Sequence, residues 1–178
     1  MPGVLKLWEM SPTGLDPRVE RFLSSLSVDT RLFEDDLQGS AAHAAMLGRV
    51  GVVPEATASA LVRELGAMLD EARAGALTPA EPAEDVHSFI EQELTRRLGS
   101  AGKTVHAGRS RNDQVALDVR LYLRRAFAEA GNGVLDAIGA VCDLASANVE
   151  TYMPSYTHLR RAQPSTLAFH LLAWCAAL

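Results

Sequence analysis

Residues 107–114 read AGRSRNDQ: two arginines around a serine, then an asparagine, an aspartate and a glutamine. A guanidinium fork binds a carboxylate through two parallel N–H donors, and a helix start adds unpaired amide N–H groups with the positive end of the dipole. Arg109, Ser110, Arg111 and Asn112 together offer more donors than one helix cap uses. The stretch reads as a grip for an anion, and a substrate with several carboxylates suits it. The plainer reading is a capped, solvated helix start with Asn112 or Asp113 as the cap.

A second stretch, SYTHLRRAQP at 155–164, sets Thr157 beside His158. A hydroxyl next to an imidazole suits hydrogen bonding combined with proton transfer near neutral pH. Arg160 and Arg161 follow, but no stacking aromatics or basic stripe accompany them, so a nucleic-acid partner is not expected. In EDVHSFIE, His87 and Glu91 stand four apart on one helix face, a spacing a metal could use. No second histidine stands at ligand spacing, so His87 reads as part of an acidic helix start, and no metal is expected. GSAGKT at 99–104 ends like a phosphate loop, yet Arg97 occupies the first glycine position and a helix precedes it. His43 and His170 lie among apolar residues and read as packing histidines.

These side chains need helices to hold them. Residues 30–50 carry Leu32, Phe33, Leu37, Ala41, Ala44 and Leu47 near helical spacing, with Gly51 as a stop. Residues 54–74 start at Pro54, repeat Leu61, Leu65 and Leu69, and meet Gly75. Val86, Ile90, Leu94 and Leu98 form a stripe behind Glu84 and Asp85, and Gly99 ends it. A loop then leads to the opening stretch. From about Asn112 to Thr151 the helical period hardly stops, kept by Val115, Val119, Tyr122, Leu123 and Ala126 and then Leu135 and Ile138 as the expected inward stripe, with a weak point at GNG, 131–133. Forty unbroken residues make a rod of about 60 Å, which needs partner helices to cover its stripe. Residues 155–163 read as a polar connection, and Pro164 as the opening of a further helix with Leu167, Leu171, Trp174 and Leu178. That helix has no cap at Leu178, so a longer protein is expected.

The fold class expected is all-α. An N-terminal helical domain covers 1–108, and the beginning of a long-helix bundle covers 109–178. The 178 residues are 48% hydrophobic and only 6% aromatic, with a net charge of −5. Mean hydropathy is +0.03. That composition suits a soluble globular chain and argues against a general polyanion binder. Cys142 and Cys175, distant in sequence, read as small core residues in a reducing compartment. MPGVLKLWEM lacks the apolar run of a signal peptide, and no run of about 18 apolar residues could span a membrane. The cytoplasm is the expected compartment.

GRSRNDQVALDVRLYLR (108–124) and YTHLRRAQP (156–164) resemble the first two signature regions of argininosuccinate lyase, a family of the fumarase/aspartase superfamily. LDPRVERFLSSLSVDTRL (15–32), DLQGSAAHAAML (36–47) and EDVHSFIEQEL (84–94) agree with it, so the resemblance covers nearly the whole chain. It implies the L-aspartase/fumarase-like fold, no cofactor, and reversible elimination of fumarate from argininosuccinate to leave arginine. It also implies a homotetramer whose active sites draw on three subunits. Arg111 and Asn112 match substrate-contacting positions, with Arg109 and Ser110 in the same loop. Thr157 matches a substrate hydrogen-bond donor and His158 a histidine of proton transfer. His87 matches a histidine at the cleft edge, and Ser25 a substrate-binding serine. A third signature, carrying the serine base, would lie beyond residue 178. The chain departs from the family at Glu9, Met10, Leu23, Thr104, Ala107, Ser155 and Arg160. Two other readings are a sister lyase acting on adenylosuccinate and a non-catalytic, crystallin-like descendant or fragment.

Overall fold

The computed structural model describes residues 16–178; the departures at Glu9 and Met10 lie outside them. The chain divides into two compact units, one through Leu123 and one from Arg124 to Leu178.

In the first unit α1 (Pro17–Leu23) starts at Asp16, whose carboxylate accepts the Arg18 N–H. A short α2 (Leu26–Asp29) runs through a 3₁₀ turn at Thr30–Leu32 into α3 (Phe33–Arg49). Then come α4 (Glu55–Arg73), α5 (Val86–Leu98), a 3₁₀ stretch (Gly99–His106) and the start of α6 at Arg111. The stripes read from the sequence meet in one core. Phe33, Leu37 and Ala44 of α3, Leu61, Leu65 and Met68 of α4, and Val86, Ile90 and Leu94 of α5 are all buried together. Gly75 (φ 70°) and Gly99 (φ 63°) follow α4 and α5 in the left-handed region that stops a helix at little cost. Residues 99–106, expected as loop, coil instead into 3₁₀ geometry. Gly102 lies so close to the Leu94 backbone that a Cβ would not fit, which lets this segment pack onto α5. Outside the core, Arg97 of α5 joins α4 by ion pairs to Glu64 (2.9 Å) and Glu71 (2.6 Å), and pairs with Glu93 (2.6 Å) of its own helix.

The second unit holds the remainder of α6 (Arg111–Ser146), a hairpin and α7 (Leu167–Ala177). Glycines 131 and 133 do not interrupt α6; each costs about 1 kcal/mol relative to Ala, too little to break a helix of 36 residues. The helix stops at Ser146, short of the expected Thr151. The polar connection expected at 155–163 is β-structure: β1 (Tyr152–Thr157) pairs antiparallel with β2 (Arg160–Thr166). Pro164, expected to open a helix, sits within β2 directly opposite Pro154. Two prolines can face each other only where neither strand must donate an N–H, so each tolerates the other. Helix α7 begins three residues later, with the Thr166 hydroxyl accepting the Phe169 N–H at 3.2 Å. Ala168 and Leu171 of α7 bury against Ala145 of α6. Cys142 and Cys175 are free thiols; the fold brings their sulfurs to 3.8 Å, half-buried, rather than into separate places in a core. Among the described residues no helix is long and apolar enough to cross a membrane.

Leu61 is fully buried between three helices. Leu61→Ala should therefore lower unfolding free energy in urea by about 2–5 kcal/mol. A loss below about 1 kcal/mol would show that this residue does not anchor the core.

Candidate active site

The opening stretch becomes the start of α6. Ser110 Oγ accepts the Asn112 N–H (3.2 Å), and the Asp113 carboxylate accepts the Ser110 N–H (3.2 Å). This reciprocal pair is a capping box, so the cap is Ser110 and not Asn112 or Asp113. Cap duty accounts for Ser110 and Asp113. It leaves Arg109, Arg111 and Asn112 to be explained.

Both arginines are tethered, and both tethers run to one buried residue. Arg109 Nη2 donates to Ser40 Oγ (3.1 Å), and Ser40 Oγ donates to Asp36 Oδ1 (2.8 Å). Arg111 Nη1 donates to Gln114 Oε1 (3.3 Å), and Gln114 Nε2 donates to the same Asp36 oxygen (2.7 Å). Asp36 Oδ2 receives His87 Nδ1 at 2.7 Å. Arg111 also reaches the start of α5: its Nη2 donates to Ser88 Oγ (3.3 Å), and its Nε lies 3.7 Å from Asp85. The Asp85 carboxylate caps α5 by accepting the Ser88 N–H at 2.6 Å. The loop is further pinned where His43 Nε2 donates to the Ala107 carbonyl (2.9 Å). His43 is thus a packing histidine. His170, by contrast, is exposed, with its ring edge-on to Trp174.

Electrostatics follow from burial and donors. Burial would raise the Asp36 carboxyl, but the bonds from His87, Gln114 and Ser40 outweigh it and hold it below the usual carboxylate range. Burial would lower the His87 imidazole, yet the Asp36 carboxylate wins and raises it above its ordinary value. Asp118, one helical turn after Gln114, is pushed up to about 7 by burial and by the charge of Asp36. Burial also lowers Arg109.

Four residues of this network, Asp36, Ser40, Gln114 and Asp118, were invisible to the apolar-stripe reading. Val115 and Val119, expected to face inward, are 37% and 38% exposed, while Gln114 and Asp118 are buried at 2% and 1%. The signal was there as polar pairs four apart, Asp36 with Ser40 and Gln114 with Asp118, which share helix faces. Gly39 helps the pairs meet, since a Cβ there would come within 3.1 Å of Leu117 and 3.4 Å of Asp118.

The other expected site residues fall in two places. Ser25 belongs to the first unit, exposed, with its hydroxyl donating to Asp29 (2.6 Å) and its N–H to the Glu84 carbonyl (3.1 Å) just before α5. It therefore adjoins the helix start that Arg111 also touches. Asn112 is exposed and Arg111 half-buried. Thr157 and His158 belong to the second unit, at the hairpin tip. His158 (φ 47°) and Leu159 (φ 62°) are the two central residues of its turn. Positive φ at both centres marks the type I′ hairpin pattern that asparagine and glycine usually fill. A non-glycine residue there costs roughly 1–2 kcal/mol, so the turn holds His158 exposed in a strained conformation.

A cation-rich helix start held over a buried anion is an arrangement suited to binding carboxylates. The family model described as Lyase matches residues 13–178, and the chain belongs to that family. It is 47% identical over 170 residues to argininosuccinate lyase from Heliobacterium mobile, covering 95% of this chain and 37% of that one. Against argininosuccinate lyase from Desulforudis audaxviator it is 49% identical over 159 residues, covering 89% and 35%. The chain thus spans little more than a third of the length of the relatives it matches. Among solved structures it is similar to EDDS lyase in complex with formate (TM-score 0.67, 28% identity, 84% of this chain and 29% of that one). A variant of EDDS lyase with bound fumarate gives TM-score 0.67 at 26% identity, covering 93% and 33%. β-Carboxy-cis,cis-muconate cycloisomerase from Acinetobacter calcoaceticus shares the fold (TM-score 0.62, 23% identity, 91% and 38%).

The capping box has a direct consequence. Ser110→Ala should destabilise the chain by about 1 kcal/mol in chemical denaturation, the usual scale for a lost N-cap. An unchanged midpoint would mean that the helix start is held by the arginine tethers alone.

Proposed function

We propose that this chain supplies two of the substrate-gripping segments of an argininosuccinate lyase, which eliminates fumarate from argininosuccinate to leave arginine. The observation that carries the reading is the pair of arginines mounted at the N-terminus of α6 through separate tethers to Asp36. It is supported by identity of 46–49% to argininosuccinate lyases over most of the chain.

In this reading Arg111, Asn112, Ser110 and Arg109 bind the carboxylates of the succinyl part. A base takes the proton from the carbon beside one carboxylate, and charge builds on that group. Preorganised donors aimed at developing charge are commonly the largest catalytic contribution. A fork fixed by Ser88, Gln114 and Asp85 needs no reorganisation when the charge appears. Thr157 donates to the substrate, and His158 moves or supports a proton as the guanidino nitrogen leaves. His87 and Ser25 border the cleft: His87 through Asp36, Ser25 from the segment beside α5. The family resemblance puts the base itself in a third segment outside these residues. Chains assemble as a homotetramer with shared sites in the cytoplasm, and the chemistry uses no cofactor or metal.

The reading is tested in a hybrid chain that carries these 178 residues in place of the matching part of an argininosuccinate lyase. Arg111→Lys keeps the charge and loses the fork, so kcat/KM should fall at least about tenfold with helix content unchanged. Activity within about twofold of the unsubstituted hybrid would remove Arg111 from the site. His158→Asn should cut kcat by about a hundredfold or more with helix content unchanged. Turnover near that of the parent would leave His158 with only its turn-forming role.

A further inference from the structure

Asp36 and Asp118 share one buried space with one imidazole, and the space treats them differently. Asp36 accepts three hydrogen bonds, from Ser40, Gln114 and His87. Asp118 is 1% exposed, and neither of its oxygens has a hydrogen-bond partner. The His87 Nδ1 lies 3.6 Å from Asp118 but already serves Asp36 at 2.7 Å. One ring N–H serves one acceptor well. One carboxylate oxygen of each aspartate and one ring nitrogen of His87 all lie within 4.8 Å of one another. An ionised carboxylate buried beside another and left without donors neutralises in preference to paying the desolvation cost.

We propose that Asp36 is the fixed anion that positions Arg109 and Arg111, and that Asp118 stands beside it as a neutral carboxylic acid. Asp118 faces Asp35 and Asp36 from α3, His87 from α5 and Arg109 from the loop; Asp85 and Arg111 face His87 in turn. Burial, the two carboxylates from α3 and the missing donors favour the proton over the opposing pull of His87 and Arg109. The direction of its shift, up to about 7, agrees. Two rival arrangements exist. In one, Asp118 is an anion paired to Arg109, whose Nε also lacks a partner. In the other, a divalent cation joins the two carboxylates; the three donors already on Asp36 and the guanidinium beside it disfavour that. Asp36 and Asp118 are positioning residues here. Their bearing on catalysis rests on the proposed function, while their charge states do not.

The test uses this chain without substrate. A carboxyl raised when folded adds stability that is present below its unfolded value near 4 and is lost as pH rises through about 7. Asp118→Asn, a neutral near-isostere, should therefore melt at or a few degrees above the parent at pH about 5, and further above it at pH about 8. Asp36→Asn should melt about 10 °C lower at both pH values, because three donors lose their anion. It should also shift the Arg111 Nε–H signal in NMR, which Asp118→Asn at pH about 5 leaves in place. In the unsubstituted chain, carbon-13 carboxyl NMR should show Asp118 titrating near 7. An Asp118→Asn melting loss at pH about 5 as large as that of Asp36→Asn, or an Asp118 carboxyl titrating below about 4, would overturn the neutral acid in favour of the Arg109 pair. A rise in parent melting on adding zinc, absent from Asp118→Asn, would overturn it in favour of a cation. A hybrid that fails to release fumarate would count against the proposed function and leave this result standing.

Discussion

Moving a carboxylate from water into a protein interior costs several kcal/mol unless donors surround it. Asp36 is fully buried, and much of the first unit is arranged around that demand. Its own helix supplies Ser40, α5 supplies His87 and α6 supplies Gln114. Each donor fixes the spacing and rotation of its helix relative to α3. The same three contacts leave Ser40 and Gln114 with acceptor capacity, and the two arginines take it up. One buried charge thereby dictates where two partly exposed charges stand. A site that must hold several carboxylates gains from this, because fixed arginines lose little freedom when they bind.

The second unit uses a different device. Thr157 and His158 sit where a two-residue turn reverses the chain, and the backbone there adopts positive φ without glycine or asparagine. Strain of this kind persists only when neighbouring structure over-determines it. The paired prolines, the ladder from Tyr152–Thr166 to Thr157–Arg160, and the Thr166 cap of α7 do so here. The turn holds an imidazole and a hydroxyl at one exposed tip, where a more relaxed loop would let them wander. On the outer faces of α6, Phe127, Leu135 and Leu144 stay exposed by 51% or more. Such side chains suit the covering helices that the proposed tetramer supplies.

Helix existence was legible because leucine and alanine repeat at the helical period over long runs. Leu61 and Leu65, or Ile90 and Leu94, fall where the period places them. The hairpin was not legible. Its strands are short and polar and contain prolines, so periodicity is silent, and their pairing is decided by contacts across the hairpin rather than by the pattern along either strand. The proposed anion site was half legible. Its arginines announce themselves by type and by the helix start behind them. Their support does not, because Gln114 and Asp118 look like solvated positions until α3 presents Asp36 and Ser40 opposite. The valines beside them look like the core face and are not. A polar pair four apart on one helix acquires meaning only when a second such pair is known to face it.

The central claim is that these arginines grip the succinyl part of argininosuccinate. It is tested most directly by following fumarate absorbance in the unsubstituted hybrid chain, with argininosuccinate and adenylosuccinate supplied separately. The account predicts steady fumarate release from argininosuccinate and none above background from adenylosuccinate. A folded, tetrameric hybrid that releases fumarate only from adenylosuccinate, or from neither, would contradict it.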